Sequence, residues 1–179
     1  MSPTVGGDSI NTVASISSKR GRKVESVSND SEDYGVLAWH EDGRWNLQIL
    51  DDANDVSAVV DALQAKRVNG GAFALIAIDD EFFVVARALG SQMQMMISDV
   101  TYATEYDVAA DIIDMLDLPM PEDDDESQPG GDVDLLADHG MSAMELETLA
   151  SDEDLFPDEQ IEAIAWRLGF GEQFSELME

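Results

Sequence analysis

The chain has 179 residues, of which 39 are Asp or Glu and nine are Lys or Arg, and its formal net charge is −30. A surface this acidic repels phosphate backbones and anionic membranes, because both are bound through basic side chains, so the expected partner is a basic protein surface. The absence of cysteine excludes disulfides and thiolate metal sites and is compatible with a reducing cytoplasm.

The first 31 residues differ in composition from the rest. They contain four of the nine basic residues but only three of the 39 acidic ones, and no apolar stretch precedes a small-residue cleavage site. We therefore expect residues 1–31 to be a disordered tail, and a misplaced translation start is an open alternative. Elsewhere, no apolar run approaches the roughly 18 residues of a membrane span.

The segment after the tail predicts two strands and a helix. YGVLAWH is apolar, RWNLQIL alternates, and the Asp42-Gly43 pair between them is a hairpin signal. A helix capped by Asn54 or Asp55 follows, and Gly70 and Gly71 end it. Its apolar positions have the spacing of one buried face and are Val56, Val59, Val60 and Leu63.

Three closely spaced apolar runs come next, at 72–78, 82–89 and 92–98. Turns this short predict an antiparallel meander, and a helix is expected over about 107–116 before Pro119 and Pro121. The order ββαβββα indicates an α+β domain over 32–120, a two-layer sandwich of helices on an antiparallel sheet. Met93, Met95 and Met96 are expected to fill its core, with an adaptable binding patch as the alternative.

Residues 121–132 predict an acidic linker, because charge, Pro and Gly prevent burial. Residues 133–179 predict a helical segment with a capping box at Ser142 and Glu145, a helix that starts at Pro157, and a stop at Gly169. About 47 residues are few for an independent core. We therefore expect the segment to dock on the sandwich or on a partner.

Catalytic signals are weak. His40 is expected at the surface, and His139 is expected to carry a favourable charge at a helix C-terminus. No nucleophile elbow, P-loop or GxGxxG is present. The linker acids depart from a calcium loop, since Gln128 occupies the glycine position. We assign no catalytic, cofactor or metal residue.

Partner binding has better candidates. The helical segment has more aromatic and apolar residues than so short a segment needs, and the linker adds a run of carboxylates. The predicted partner-binding residues are Asp123, Asp124, Asp125, Leu155, Phe156, Trp166, Phe170 and Phe174.

Three stretches, DDEFFVVAR, SDVTYATEYDVAADIIDMLDLPMPEDDDE and DLFPDEQIEAIAWRLGFGEQF, resemble the actinobacterial tRNA adenosine deaminase-associated protein family. The resemblance runs from about Tyr34 to Phe174 in the same order, and it departs at the Met-rich strand and at His139. It implies an accessory role beside a deaminase and transfers no catalytic residue. Zinc deaminases need cysteine ligands, so this chain is not itself such an enzyme.

The leading hypothesis is a non-catalytic, cytoplasmic accessory protein that binds a basic partner, which the resemblance suggests is tRNA adenosine deaminase. One alternative is a small enzyme with a cation held by Asp79, Asp80 and Glu81, although such acids are typical of a solvated turn. The other is an acidic cytoplasmic protein that has no specific partner.

Overall fold

The computed structural model describes residues 33–66 and 71–178. Its first elements are strands β1 (Asp33–Glu41) and β2 (Arg44–Leu50), which pair antiparallel. Asp42 and Gly43 join them with φ angles of 56° and 81°. These left-handed values match the right-handed twist of a hairpin, so the predicted Asp-Gly turn is confirmed.

The remaining strands complete a six-stranded antiparallel sheet within the described residues. They are β3 (Ala72–Ile78), β4 (Phe82–Leu89), β5 (Gln92–Ile97) and β6 (Gly130–Gly131), and the spatial order is β2-β1-β3-β4-β5-β6. The predicted α+β class and antiparallel sheet are confirmed. Strand β6 was not expected, because its two residues lie in the predicted linker and pair with Met96 and Ile97.

Helices α1 (Val56–Gln64) and α2 (Asp107–Met115) lie on one face of the sheet. Alternation sends every second strand residue to this face, where Met95 and Ile97 pack with Val59, Leu63 and Ile112 of the helices. Of the predicted face of α1, Val56, Val59 and Leu63 are buried and Val60 is half-buried. Met95 and Met96 fill the interior on the two sides of β5, as expected, and Met93 is half-buried.

The C-terminal segment covers the opposite face. A 3₁₀ helix (Ala137–His139) leads to α3 (Ala143–Ala150), α4 (Pro157–Leu168) and α5 (Gly171–Met178). Their buried side chains share a second core with the sheet residues Val36, Ala38, Phe73, Leu75, Phe83 and Val85. Of the two docking outcomes expected for this segment, the structure shows docking on the sandwich.

The helix boundaries follow from local chemistry. Asp55 accepts a hydrogen bond from the Ala58 amide at the start of α1, and Ser142 forms the predicted capping box with Glu145. Pro157 occupies the first turn of α4, and Gly169 ends that helix with a φ of 106°. These predictions are confirmed.

A buried arginine joins the second layer to the sheet. The Arg87 guanidinium on β4 donates to both carboxylate oxygens of Asp138, at 2.7 and 2.9 Å, and to the Leu135 carbonyl at 3.0 Å. It also stands 4.9 Å from the centre of the Phe73 ring. Because Arg87 lies in the middle of the sheet and Asp138 begins the helical layer, this contact fixes where that layer starts.

The tail predicted at 1–31 lies outside the described residues. The helix stop predicted at Gly70 and Gly71 was wrong, because α1 already ends at Gln64 and Ala65 caps it. The boundaries of 32–120, 121–132 and 133–179 stay predictions. Every helix within 33–66 and 71–178 is too short or too polar to cross a lipid bilayer.

Candidate protein-binding surface

The predicted aromatic partner-binding residues fall into a buried and an exposed group. Phe170 and Phe174 lie in the core under the sheet, and the Phe170 ring is 4.6 Å from that of Trp45. In contrast, Phe156 is 61% exposed and Trp166 is 55% exposed, while Leu155 is half-buried. Burial removes the first two from any direct contact surface, so the exposed group is the one available to a partner.

Phe156 belongs to a loop, residues 151–156, that we call the Phe156 loop. The side-chain amide of the buried Gln160 donates to the Asp152 carbonyl of the loop at 3.5 Å and to the Leu149 carbonyl at the end of α3 at 2.7 Å. Within the loop, the Asp152 carboxylate accepts from the Asp154 amide at 3.0 Å, as in an Asx-turn. The loop therefore has a hydrogen-bonded framework, although all its side chains except that of the half-buried Leu155 are exposed.

Phe156 itself is fixed at the start of α4. Its amide donates to the Glu159 carboxylate at 2.9 Å, and the following Pro157 is buried. The sequence predicted that α4 begins here, and it did not predict that the helix would turn Phe156 outward. The structural reason is that the buried face of α4 is already filled by Ile161, Ile164 and Leu168.

The surroundings of Phe156 are acidic. Five exposed carboxylates lie within four residues of it in the chain: Asp152, Glu153, Asp154, Asp158 and Glu159. The sequence has no Lys or Arg between Arg87 and Arg167. Arg167 pairs with Glu145 at 2.9 Å. An aromatic side chain in this setting combines an apolar contact with a strong negative field.

Trp166 has a different setting. Its indole ring packs against Gly171 so closely that a Cβ atom at that position would overlap it. The neighbouring Arg167 bridges α4 to Glu145 on α3. Trp166 therefore contributes to the packing of α4 on α5 as well as to the surface.

The predicted linker carboxylates lie on a different part of the molecule. Asp123, Asp124 and Asp125 are exposed. Their segment is tied to the edge of the sheet, since Ser127 donates to Asp99 at 2.6 Å and Asp132 exchanges hydrogen bonds with the Met95 backbone. Within the described residues, no hydrogen bond or ion pair joins them to the Phe156 loop. The linker carboxylates therefore belong to a segment held by β5 and Asp99, whereas Phe156 is held at the start of α4.

An acidic cleft was missed by the sequence analysis. It has a volume of about 410 Å³, and its lining includes Asp33, Asp55, Asp107, Asp111 and Tyr106. Burial and the charge of Asp79 raise the pKa of the Asp33 carboxyl. Asp55 was interpreted alone as a helix cap, and no local signal brought it together with Asp33 on β1 or with Asp107 and Asp111 on α2.

Comparison with known proteins decides the family. A family model described as "Rv3753c-like tRNA adenosine deaminase-associated protein" matches residues 33–171. The chain belongs to this family. It is also 34% identical over 158 residues to the protein Rv3753c of Mycobacterium tuberculosis. This alignment covers 86% of the present chain and 91% of Rv3753c. No solved structure matches.

The family resemblance inferred from the sequence is therefore confirmed, including its actinobacterial relative. The matched region includes the sheet, helices α1 to α4 and the Phe156 loop, and it ends at the start of α5. The family description names association with a deaminase and not deamination itself. In this member, the absence of cysteine agrees with that wording.

The cation site considered at Asp79, Asp80 and Glu81 finds no support in this family member. Asp79 accepts a hydrogen bond from Tyr106 at 2.7 Å, and Glu81 accepts one from Tyr102 at 2.9 Å. Burial and these carboxylates raise the pKa of both tyrosines. Across the described ranges, no three His, Asp or Glu side chains are grouped to hold a metal ion.

The histidines also lack a catalytic arrangement in this family member. His40 is exposed, as expected. The His139 ring lies 5.1 Å from Phe73 and 6.1 Å from Trp45. Burial is the largest influence on His139 and lowers its pKa below the usual range. The predicted helix end is confirmed, since the 3₁₀ helix ends at His139 and Gly140 caps it with a left-handed backbone. The expected positive charge is disfavoured there, because burial favours the neutral ring.

Proposed function

We propose that this protein is a non-catalytic, cytoplasmic accessory protein that binds tRNA adenosine deaminase through a basic surface of that enzyme. The family description supports the association. The charge distribution of the described residues supports the basic surface. On this proposal the chain contacts the enzyme and leaves the nucleic acid to it.

One observation carries the proposal. The described residues include 34 acidic side chains and four basic ones, Arg44, Lys66, Arg87 and Arg167. Two of the four pair with carboxylates of the same chain, Arg87 with Asp138 and Arg167 with Glu145. Most carboxylates therefore have no basic counterpart in this part of the chain. A surface with so large an excess of one sign attracts a surface of the opposite sign and accelerates its association.

A tRNA-binding enzyme needs basic side chains on the face that receives the phosphate backbone. An acidic accessory protein is complementary to such a face and is repelled by free tRNA. The linker carboxylates Asp123, Asp124 and Asp125 add to this steering because they are exposed. We therefore expect the protein to bind the enzyme at or beside its tRNA-facing side.

The experiment uses the full chain and purified tRNA adenosine deaminase from the same genome. The dissociation constant and association rate are measured from low to physiological salt, over which the screening length falls from about 30 Å to about 8 Å. We expect binding whose association rate falls by at least about tenfold over this range. Replacing Asp123, Asp124 and Asp125 by Asn should flatten the salt dependence without altering the urea midpoint.

The contrary outcomes are equally concrete. No binding to the deaminase at low salt would contradict the proposed partner, and would leave the alternative of an acidic protein with no specific partner. Tight binding of naked tRNA by the isolated chain would contradict the electrostatic reasoning. Binding that is independent of salt would show that charge does not guide the association.

A further inference from the structure

Phe156 has the most exposed Phe, Tyr or Trp side chain of the described residues. Phe156 is 61% exposed, whereas Phe170 and Phe174 of the same segment are buried in the core. Exposed single apolar residues are ordinary on protein surfaces, so exposure alone assigns no role. Two further observations, the rigidity of the loop and its charge, distinguish Phe156.

The Phe156 loop is held in place before any partner arrives. The Gln160 side chain donates to the Asp152 carbonyl, the Asp152 carboxylate accepts from the Asp154 amide, and the Glu159 carboxylate accepts from the Phe156 amide. A loop held on both sides of its exposed residue loses little conformational entropy when that residue is bound. Aromatic residues on such rigid supports are typical binding anchors.

The charge around the loop defines the partner. Phe156 lies between the carboxylates of Asp152, Glu153 and Asp154 on one side and those of Asp158 and Glu159 on the other, all of them exposed. An apolar pocket without basic side chains at its rim would leave these charges unfavourably close to a low-dielectric surface. A pocket surrounded by Lys and Arg pairs with them.

We propose that the Phe156 loop is the anchor of the protein interface, and that Phe156 enters an apolar pocket of the partner whose rim is formed by Lys and Arg side chains. The proposal rests on the proposed function for the identity of the partner, the tRNA adenosine deaminase. The surface chemistry of the partner follows from the loop alone.

Trp166 is the competing anchor, and the structure disfavours it. Its indole ring packs on Gly171, so part of its surface already serves the contact between α4 and α5. Its neighbour Arg167 is basic and pairs with Glu145. Only one carboxylate, that of Glu162, lies within four residues of Trp166 in the chain, whereas five lie within four residues of Phe156.

The first test compares Phe156→Ala with Met144→Ala in the full chain, using the purified deaminase as the probe. Met144 is a matched control because it is an apolar residue with 76% exposure in the same segment. Phe156→Ala should weaken binding by about 30-fold or more, as removal of an interface hot spot does. Met144→Ala should change it by less than about threefold, as for residues outside hot spots. Both should keep the wild-type urea midpoint.

A second pair of variants tests the charged rim. Glu153→Gln with Asp154→Asn removes two charges beside Phe156, and Asp114→Asn with Asp117→Asn removes two exposed charges near the end of α2. The first pair should dissociate from the deaminase faster than the wild type does, and it should weaken binding more than the second pair at equal salt. The reason is that close charge pairs act on the dissociation rate and distant charges on the association rate. Equal effects of the two pairs would overturn the charged rim.

The outcomes separate this inference from the proposed function. Deaminase binding that survives Phe156→Ala overturns the anchor and leaves the function standing. If the wild-type chain does not bind the deaminase, the proposed function is contradicted. The anchor is then tested in the cells that make the protein, by photocrosslinking from a benzophenone amino acid placed at position 156 or, as a control, at position 144 of the full chain. Two results together support the anchor. A partner is crosslinked from position 156 and not from position 144, and the purified partner binds the Phe156→Ala variant about 30-fold less tightly than the wild type. Equal crosslinking, or none, from position 156 overturns it.

Discussion

The contact between Arg87 and Asp138 can be tested by a double-mutant cycle. The guanidinium is deeply buried, with 4% of the side chain exposed, whereas the Asp138 side chain is 59% exposed. Asp138→Asn keeps the shape of the carboxylate and removes its charge. Arg87→Met keeps an unbranched side chain in the sheet and removes the buried charge. The cycle therefore isolates the energy of the charged pair.

The structure sets the magnitude. Removing one partner of a fully buried pair costs about 3–5 kcal/mol, and a hydrogen bond to a charged group contributes about 1.5–3 kcal/mol. Water can reach the Asp138 side, and the Leu135 carbonyl still accepts from Arg87, so the lower range applies. We expect Asp138→Asn to lower the free energy of unfolding by about 2 kcal/mol in the wild type and by under about 0.5 kcal/mol in the Arg87→Met background.

The assay is urea unfolding at neutral pH, followed by tryptophan emission and by circular dichroism, which must give coincident transitions. Glu145→Gln is the control, because it removes a charge from the pair with Arg167, whose side chains are both about half exposed, and glutamine retains the capping box. Its effect should be clearly smaller than that of Asp138→Asn. Equal losses for Asp138→Asn in both backgrounds would refute the coupling.

Three further predictions concern packing and pH. Phe170→Ala should lower the free energy of unfolding in urea by about 3–5 kcal/mol, because it opens a cavity beside Trp45, and near-native stability would contradict its buried position. Gly171→Ala should cost about 1–3 kcal/mol and shift the Trp166 emission, and an unchanged spectrum would rule out the close packing. Burial and nearby carboxylates raise the pKa of Tyr102 and Tyr106 above the ordinary value of 10.0. The contribution of these neutral tyrosines to stability is therefore complete below pH 10.0 and is lost as the pH rises through their pKa values in the folded protein. Ultraviolet titration and urea midpoints at alkaline pH check this, and tyrosines that ionise normally would contradict it.

Most of the fold could be predicted because its signals are local. The Asp42-Gly43 turn, the Ser142 capping box and the Gly169 stop each depend on a few adjacent residues. Strand β6 could not be predicted in the same way. Its two glycines have no side chains to form a pattern, and at Gly131 a Cβ atom would overlap the Met95 carbonyl of β5.

The candidate surface was only partly predictable, since burial depends on what packs above a residue. Phe156, Trp166, Phe170 and Phe174 have similar chemistry in the sequence, yet the second core encloses the last two and leaves the first two outside. The acidic cleft was missed for a related reason. Asp33 and Asp111 are 78 positions apart in the chain, and only the folded structure brings them to one cleft.

The second helical layer has a consequence for biosynthesis. Ile97 ends the last long strand, but Phe174, near the end of the chain, still belongs to the core that covers the sheet. At roughly 5–20 residues per second, a ribosome needs roughly 4–15 seconds to synthesise the chain from Ile97 to Phe174. During this time one apolar face of the sheet remains uncovered. The acidic stretch at 121–132 is synthesised during this interval, and its negative charge makes neighbouring nascent chains repel one another. We expect a fragment that ends before α4 to aggregate through this uncovered apolar face, even though the fragment is acidic.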